Sequence, residues 1–446
     1  MRGSCYDTTG ESVQRENLMR PSRRTILTSG VIAAAASGAA SAATRPKAHD
    51  AAWLQSVVER YAAFGGKASG GPGDEACGAW LEAELTRAGY ACERQSFEVP
   101  YFDPATATLV SGEARATVIP QALVSPTGPS GMTGPLRRPD RDGDMEGAIA
   151  ILDLPYTRWG GIGQIAKPVA DAFGRGAVAA VAITNGPSGE AVALNVSPHK
   201  PGFDRPVAIL APKDAAPFLA AAASGSSATL TVDGRGGKRP AYNLIARRDR
   251  KAAKTFILST PRSGWFDCVA ERGSGLAVWL ALAHWLASAK HQVNLELVAT
   301  SGHEYVYLGG EHYLSDKAPK PERTKLWMHI GACLAARDWH DIGPTPRPLS
   351  SADAGRAMVA TPDQIERLRR AFKGQSGLQD VYIADKTTAA GEIVNVIDAK
   401  YPSAIGEYGY HRYFHTAADD LRCTSGDLIA PVLAAYRTAL AACLRA

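Results

Sequence analysis

TFILSTPRSGWFDCVAERGSGLAVWLALAHWLASAKHQVNLELVATSGHE, residues 255–304, reads as strand, helix and strand in succession. Thr255–Leu258 and Val293–Thr300 are short apolar runs, whereas Ser274 to about Ala289 is too long for a strand. A helix near Gly309–Leu314 and a strand at Lys325–Ile330 continue the alternation. This order predicts a three-layer αβα domain, with helices on both faces of a mostly parallel sheet. In such sheets functional groups gather at the carboxyl ends of the strands. Four segments fall there: Thr260-Pro261-Arg262, Ala270-Glu271-Arg272-Gly273, Ser301-Gly302-His303-Glu304 and His329-Ile330-Gly331. A fifth, Tyr413-Phe414-His415-Thr416, precedes the last helix.

Upstream, residues 50–64 and roughly 75–89 have helical spacing, and a strand follows at Cys92–Val99. Thr361 before Pro362, with Gln364 behind it, predicts an N-cap for a helix ending near Lys373. The last helix spans about Asp427–Cys443. Residues 105–239 differ in texture, with many Gly, Pro and Ser residues around short apolar strands such as GAIAILDL and PVAILAP. They read as a β-rich insertion that divides the main domain into 50–104 and 240–446.

At the other end, Ser22-Arg23-Arg24-Thr25-Ile26-Leu27 precedes a short Ala-rich run and the small-residue site Ala40-Ser41-Ala42. This is the pattern of a twin-arginine export signal over residues 1–42, and Met19 offers a second start that would leave 1–18 untranslated. It predicts a periplasmic or secreted protein with no membrane span in the mature chain. The 49 basic residues nearly balance the 44 acidic ones, and no basic stripe with interleaved aromatics appears, so nucleic acid is excluded as the expected partner. Six cysteines lie beyond the signal without any CxxC spacing, so no zinc knuckle is expected.

The strand-end segments resemble those of peptidase family 28, the zinc aminopeptidases and their glutaminyl cyclase relatives. The insertion resembles a protease-associated domain, on texture rather than on any catalytic motif. In the family a His-x-Asp follows the first strand, an Asp-Asn opens the helix, a Glu-Glu follows the next strand, an Asp ends the third and a His closes the set. Here Thr260 and Arg262 stand at the first pair, Glu271 and Arg272 at the second, His303 and Glu304 at the third, His329 at the fourth and His415 at the last. The resemblance implies one zinc ion held by Glu271, Glu304 and His415, with His329 as a further metal-ligand candidate. It implies a metal-dependent hydrolase of amide bonds in small peptides or amino-acid derivatives. His303 would be the proton acceptor, and Arg262 and Arg272 would bind a carboxylate of the substrate.

Three alternatives stay open on the residues themselves. Both arginines could replace the metal cations, giving a metal-free binding protein. The metal could serve cyclisation or elimination instead of hydrolysis. His303 could ligate the metal or merely pack. Glu392 and Glu407 read as ordinary surface residues, and His284 as a core histidine.

Overall fold

The computed structural model describes residues 49–445 apart from 122, 124, 142, 158–160, 162, 200–201 and 344. The predicted export signal lies outside the described residues.

In chain order the elements are α1 (Ala51–Ala62), α2 (Pro72–Arg87), β1 (Ala91–Ser111), β2 (Ala114–Pro120), β3 (Met132–Arg137), β4 (Ile149–Leu154), α3 (Gly163–Gly174), β5 (Ala179–Thr184), β6 (Val207–Leu210) and α4 (Ala216–Ser224). The chain continues through β7 (Ser227–Arg248), β8 (Thr255–Pro261), α5 (Ser274–Ser288), β9 (Asn294–Thr300), α6 (Leu308–Asp316) and β10 (Thr324–Ile330). It ends with β11 (Arg337–His340), β12 (Arg347–Ala352), β13 (Arg356–Ala360), α7 (Pro362–Ala371), β14 (Val381–Ile383), α8 (Ile393–Asp398), β15 (Ala404–Gly409) and α9 (Gly426–Arg445).

Strands β9, β8, β10 and β15 lie side by side and parallel. Antiparallel β7 and β13 flank them. Period-two alternation explains why β8 reads as an unbroken apolar run: Phe256 and Leu258 face one core and Ile257 the other. The first core packs against α1, α2, α5, α7 and α9 through Leu54, Leu81, Trp279, Leu368 and Tyr436. The second packs against α6 and α8 through Tyr313 and Val396. Leu276 to Ala283 of α5 are all buried, which accounts for a helix apolar on every side. Helix α9 is long and apolar enough to cross a membrane, but Ile429, Val432, Leu433, Tyr436 and Leu440 pack into the first core.

Strands β1 and β7 run through the expected domain boundaries at 104 and 240 without a break. They pair antiparallel from Ala91 opposite Arg247 to Val110 opposite Thr229, with one register shift between Pro104 and Thr106. The sheet continues through β2, β6, β5, β4 and β3. Because β4, β5 and β6 are parallel, with α3 between β4 and β5 and α4 following β6, this region is more α/β than the β-rich texture suggested. Thr361 does not cap α7; its hydroxyl donates to Asp363 Oδ1 at 2.6 Å, which takes it away from the helix N–H groups. The six cysteines from Cys77 to Cys443 are free thiols.

Candidate functional site

The parallel strands deliver the expected segments to one sheet edge. Arg262 follows β8, Ser301 to Glu304 follow β9, His329 lies near the end of β10, and His415 lies in the loop after β15. Glu271 and Arg272 sit on a single π-turn, Val269–Gly273, that leads into α5. Asp419 fixes that turn by accepting the N–H groups of Ala270 at 2.8 Å and Glu271 at 3.0 Å.

Both guanidiniums point inward. Arg262 is fully buried, with Nε 2.9 Å from Asp74 Oδ1 and Nη1 donating to Ala299 O. Asp74 also accepts from the Ser301 hydroxyl at 2.7 Å. Arg272 Nη2 lies 2.8 Å from Glu271 Oε1, and both side chains are almost wholly buried. Burial opposes ionisation of Glu271, yet the Arg272 guanidinium and the His415 ring hold its carboxyl down at about 2. Arg262 and Arg272 therefore face carboxylates of the chain itself.

The four residues expected to ligate metal meet different partners. Glu304 accepts three hydrogen bonds: from Ser69 N and Ser69 Oγ, both at 2.7 Å, and from Ser263 Oγ at 2.9 Å. Burial pushes its carboxyl above the usual range against the pull of those donors. His329 Nδ1 pairs with the Ser259 hydroxyl at 3.0 Å, and its Nε2 is buried without a partner. His415 has a ligand's pose: Nδ1 donates to Ala193 O at 3.0 Å, leaving Nε2 facing Glu271 Oε1 at 3.4 Å. Among the described residues, one group of His, Cys, Asp and Glu has its ligating atoms mutually within 4.8 Å: His411, Asp419 and Cys423. It contains none of the four. With Arg272 on Glu271 and three protein donors on Glu304, Glu271, Glu304, His415 and His329 do not fit a metal shell.

What the strand ends do form is a cavity of about 330 Å³, lined by His303, His329, His415, Tyr307 and Phe414 and, from the insertion, Asn195. No Asp, Glu, Lys or Arg lines it among the described residues. His303 Nδ1 lies 3.0 Å from Glu392 Oε1, and the Thr300 hydroxyl donates to the same carboxyl at 3.0 Å. Burial, then Arg272, depresses the pKa of His303 well below the ordinary histidine value, so the ring is neutral. Burial likewise raises the pKa of Glu392. Val306, Tyr307 and His415 line this cavity with φ of 50°, 69° and 58°. For residues other than glycine, such conformations cost on the order of 1–3 kcal/mol each and gather at functional sites. The insertion closes one wall: Ala193 N donates to His415 O at 2.9 Å and Val196 N to Glu304 O at 3.0 Å.

Comparison with solved structures shows what surrounds this cavity. A zinc aminopeptidase from Bacillus subtilis superposes with a TM-score of 0.70 at 16% identity, over 90% of this chain and 97% of that one. This chain has the fold of the zinc aminopeptidases. A family-28 peptidase precursor from Shewanella amazonensis gives 0.69 at 17% identity, over 90% and 95%. An aminopeptidase from an Aneurinibacillus strain gives 0.63 at 17%, over 89% and 95%. No family model and no curated protein matches the sequence.

Sequence reasoning missed Asp74 and Glu392. Glu392 is only 5% exposed, rather than a surface residue, and Glu407 is fully buried. The available signal for Asp74 was indirect: a strand-end arginine inside an apolar domain requires a carboxylate to face it.

Proposed function

We propose that the chain is an exported hydrolase of amide bonds in small peptides or amino-acid derivatives, with His303 as its proton-transfer residue. The observation that carries this reading is the His303–Glu392 pair at the cavity. Glu392 holds Nδ1 and leaves Nε2 as the ring's remaining proton acceptor, the arrangement in which a neutral imidazole takes a proton from an attacking water. Tyr307 packs on His303 with ring centroids 4.9 Å apart, which fixes the ring further. The aminopeptidase fold supports amide chemistry by analogy. No step passes through a zinc ion at Glu271, Glu304, His415 and His329, since their partners leave no shell for one. The twin-arginine sequence supports delivery to the periplasm or beyond. Residues 105–239 are read as a protease-associated-like module that walls the cavity.

A lining free of Asp, Glu, Lys and Arg among the described residues favours substrates uncharged at the bound end, such as N-acylated amino acids, over free amino termini. A second reading, a binding protein without turnover, is favoured by two buried carboxylates, Asp74 in α2 and Glu271 in the turn before α5, that arginines already neutralise. Incubation of the mature protein with N-acylated amino acids and amino-acid amides, followed by mass spectrometry of the products, separates the two. The hydrolase reading expects the free amine to appear, with kcat falling roughly 100-fold in His303→Ala. Saturable binding with no product across the panel would establish the second reading.

A further inference from the structure

His411, Asp419 and Cys423 lie in the segment between β15 and α9, behind the turn that carries Glu271, and all three are buried. Their ligating atoms lie within 4.8 Å of one another. His411 Nδ1 is buried without a hydrogen-bond partner and Nε2 meets only Asp419 Oδ2, at a long 3.4 Å, an arrangement costly for an imidazole unless something fills the space between it and its neighbours. We propose that these three residues form a structural zinc site, separate from the cavity.

The geometry suits the ion. His411 Nε2 lies 3.4 Å from Asp419 Oδ2. Zinc–ligand bonds of about 2.0–2.1 Å at a tetrahedral angle put neighbouring nitrogen and oxygen donors about 3.4 Å apart. One imidazole, one carboxylate and one thiolate form a nitrogen, oxygen and sulfur set typical of zinc, not of calcium or magnesium. The Asp419 carboxylate is already aimed by the N–H groups of Ala270 and Glu271, the kind of outer contact that orients a metal ligand. The Cys423 thiol makes only a weak contact with Ala418 O at 3.5 Å. Zinc binding would break its S–H bond, release the proton to solvent and leave the thiolate on the ion. A fourth position remains for water. The ion would tie the loop holding His415 to the turn holding Glu271 and Arg272, and so fix the wall of the cavity from behind.

Zinc content of the purified mature protein tests this, with cobalt(II) substitution as a second readout. About one equivalent of zinc is expected in the native protein and less than about a tenth in Cys423→Ser. Cys443→Ser, at a distant buried thiol, should keep the native content. The cobalt form should show a thiolate-to-cobalt charge-transfer band in the near ultraviolet. That band decides the matter on the native chain even if Cys423→Ser fails to fold. Absence of both zinc and the band, or a folded Cys423→Ser that keeps its zinc, overturns the proposal. Neither outcome depends on whether the cavity hydrolyses amides.

Discussion

Arg272 shows how one side chain redirects a site. Its guanidinium meets Glu271 in a space with almost no water, so removing it strands a buried carboxylate. Arg272→Met is expected to cost about 3–5 kcal/mol in urea unfolding, and the double change Glu271→Gln/Arg272→Met to recover much of it. A loss in the double variant as large as in the single one would mean that the pair is not the unit. Glu407 makes the opposite case. Burial pushes its carboxyl up from 4.5 to about 8, so the folded state stays protonated over a range where the unfolded chain ionises. That penalty is absent below 4.5 and grows as pH rises toward 8. Glu407→Gln should therefore stabilise the protein increasingly over that range, by about 3 kcal/mol at neutral pH. Denaturant melts at several pH values check the trend. Neither Glu407 nor Glu392 was legible as buried, because their neighbours Gly406 and Gly391 resemble turn sequence; in the fold β15 lies between β10 and β13, and Gly310 of α6 packs on Glu392.

Elements with a regular period were legible almost to their ends. Thr255–Pro261, Ser274–Ser288 and Asn294–Thr300 fall where apolar spacing put them, because both faces of the sheet are buried and every residue votes for the same structure. The strand at Cys92–Val99 was legible, but the unbroken length of β1 and β7 was not. Beyond Val99 they pair with each other rather than with a buried sheet face, so alternation fades while the backbone ladder continues. Where the loop after β9 meets α6, contact is tighter still. A Cβ on Gly309 would lie 2.0 Å from Ser301 O. Gly309→Ala should push α6 off the loop that holds His303, with a loss of roughly 2–4 kcal/mol and a matching fall in activity. Thermal melts alongside a turnover assay would show it, and unchanged values of both would place the helix differently.

At the scale of the molecule, the strand-end histidines set the response to acid. Burial lowers the pKa of His329 from 6.5 to about 4, and His303 shifts the same way. Both are neutral in the folded chain, while their unfolded counterparts take up protons below 6.5, so stability is full above that pH and is lost as pH falls toward 4. Glu271 adds a further loss from 4.5 down to about 2. His329→Gln should flatten the first part of this decline, with about 3 kcal/mol at stake. The sequence showed which residues the fold would carry to one edge, but not which would pair there. An arginine beside a carboxylate reads alike whether it binds substrate or closes an internal ion pair, and only packing distinguishes them. At that edge the arginines are paired with Asp74 and Glu271, an arrangement that replaces a metal ion on Glu271, Glu304 and His415. Anomalous diffraction at the zinc edge, on crystals grown with zinc, tests it most directly. The Arg272 guanidinium is expected against Glu271, with no anomalous peak among Glu271, Glu304 and His415; a strong peak between those three residues would show a metal centre there instead.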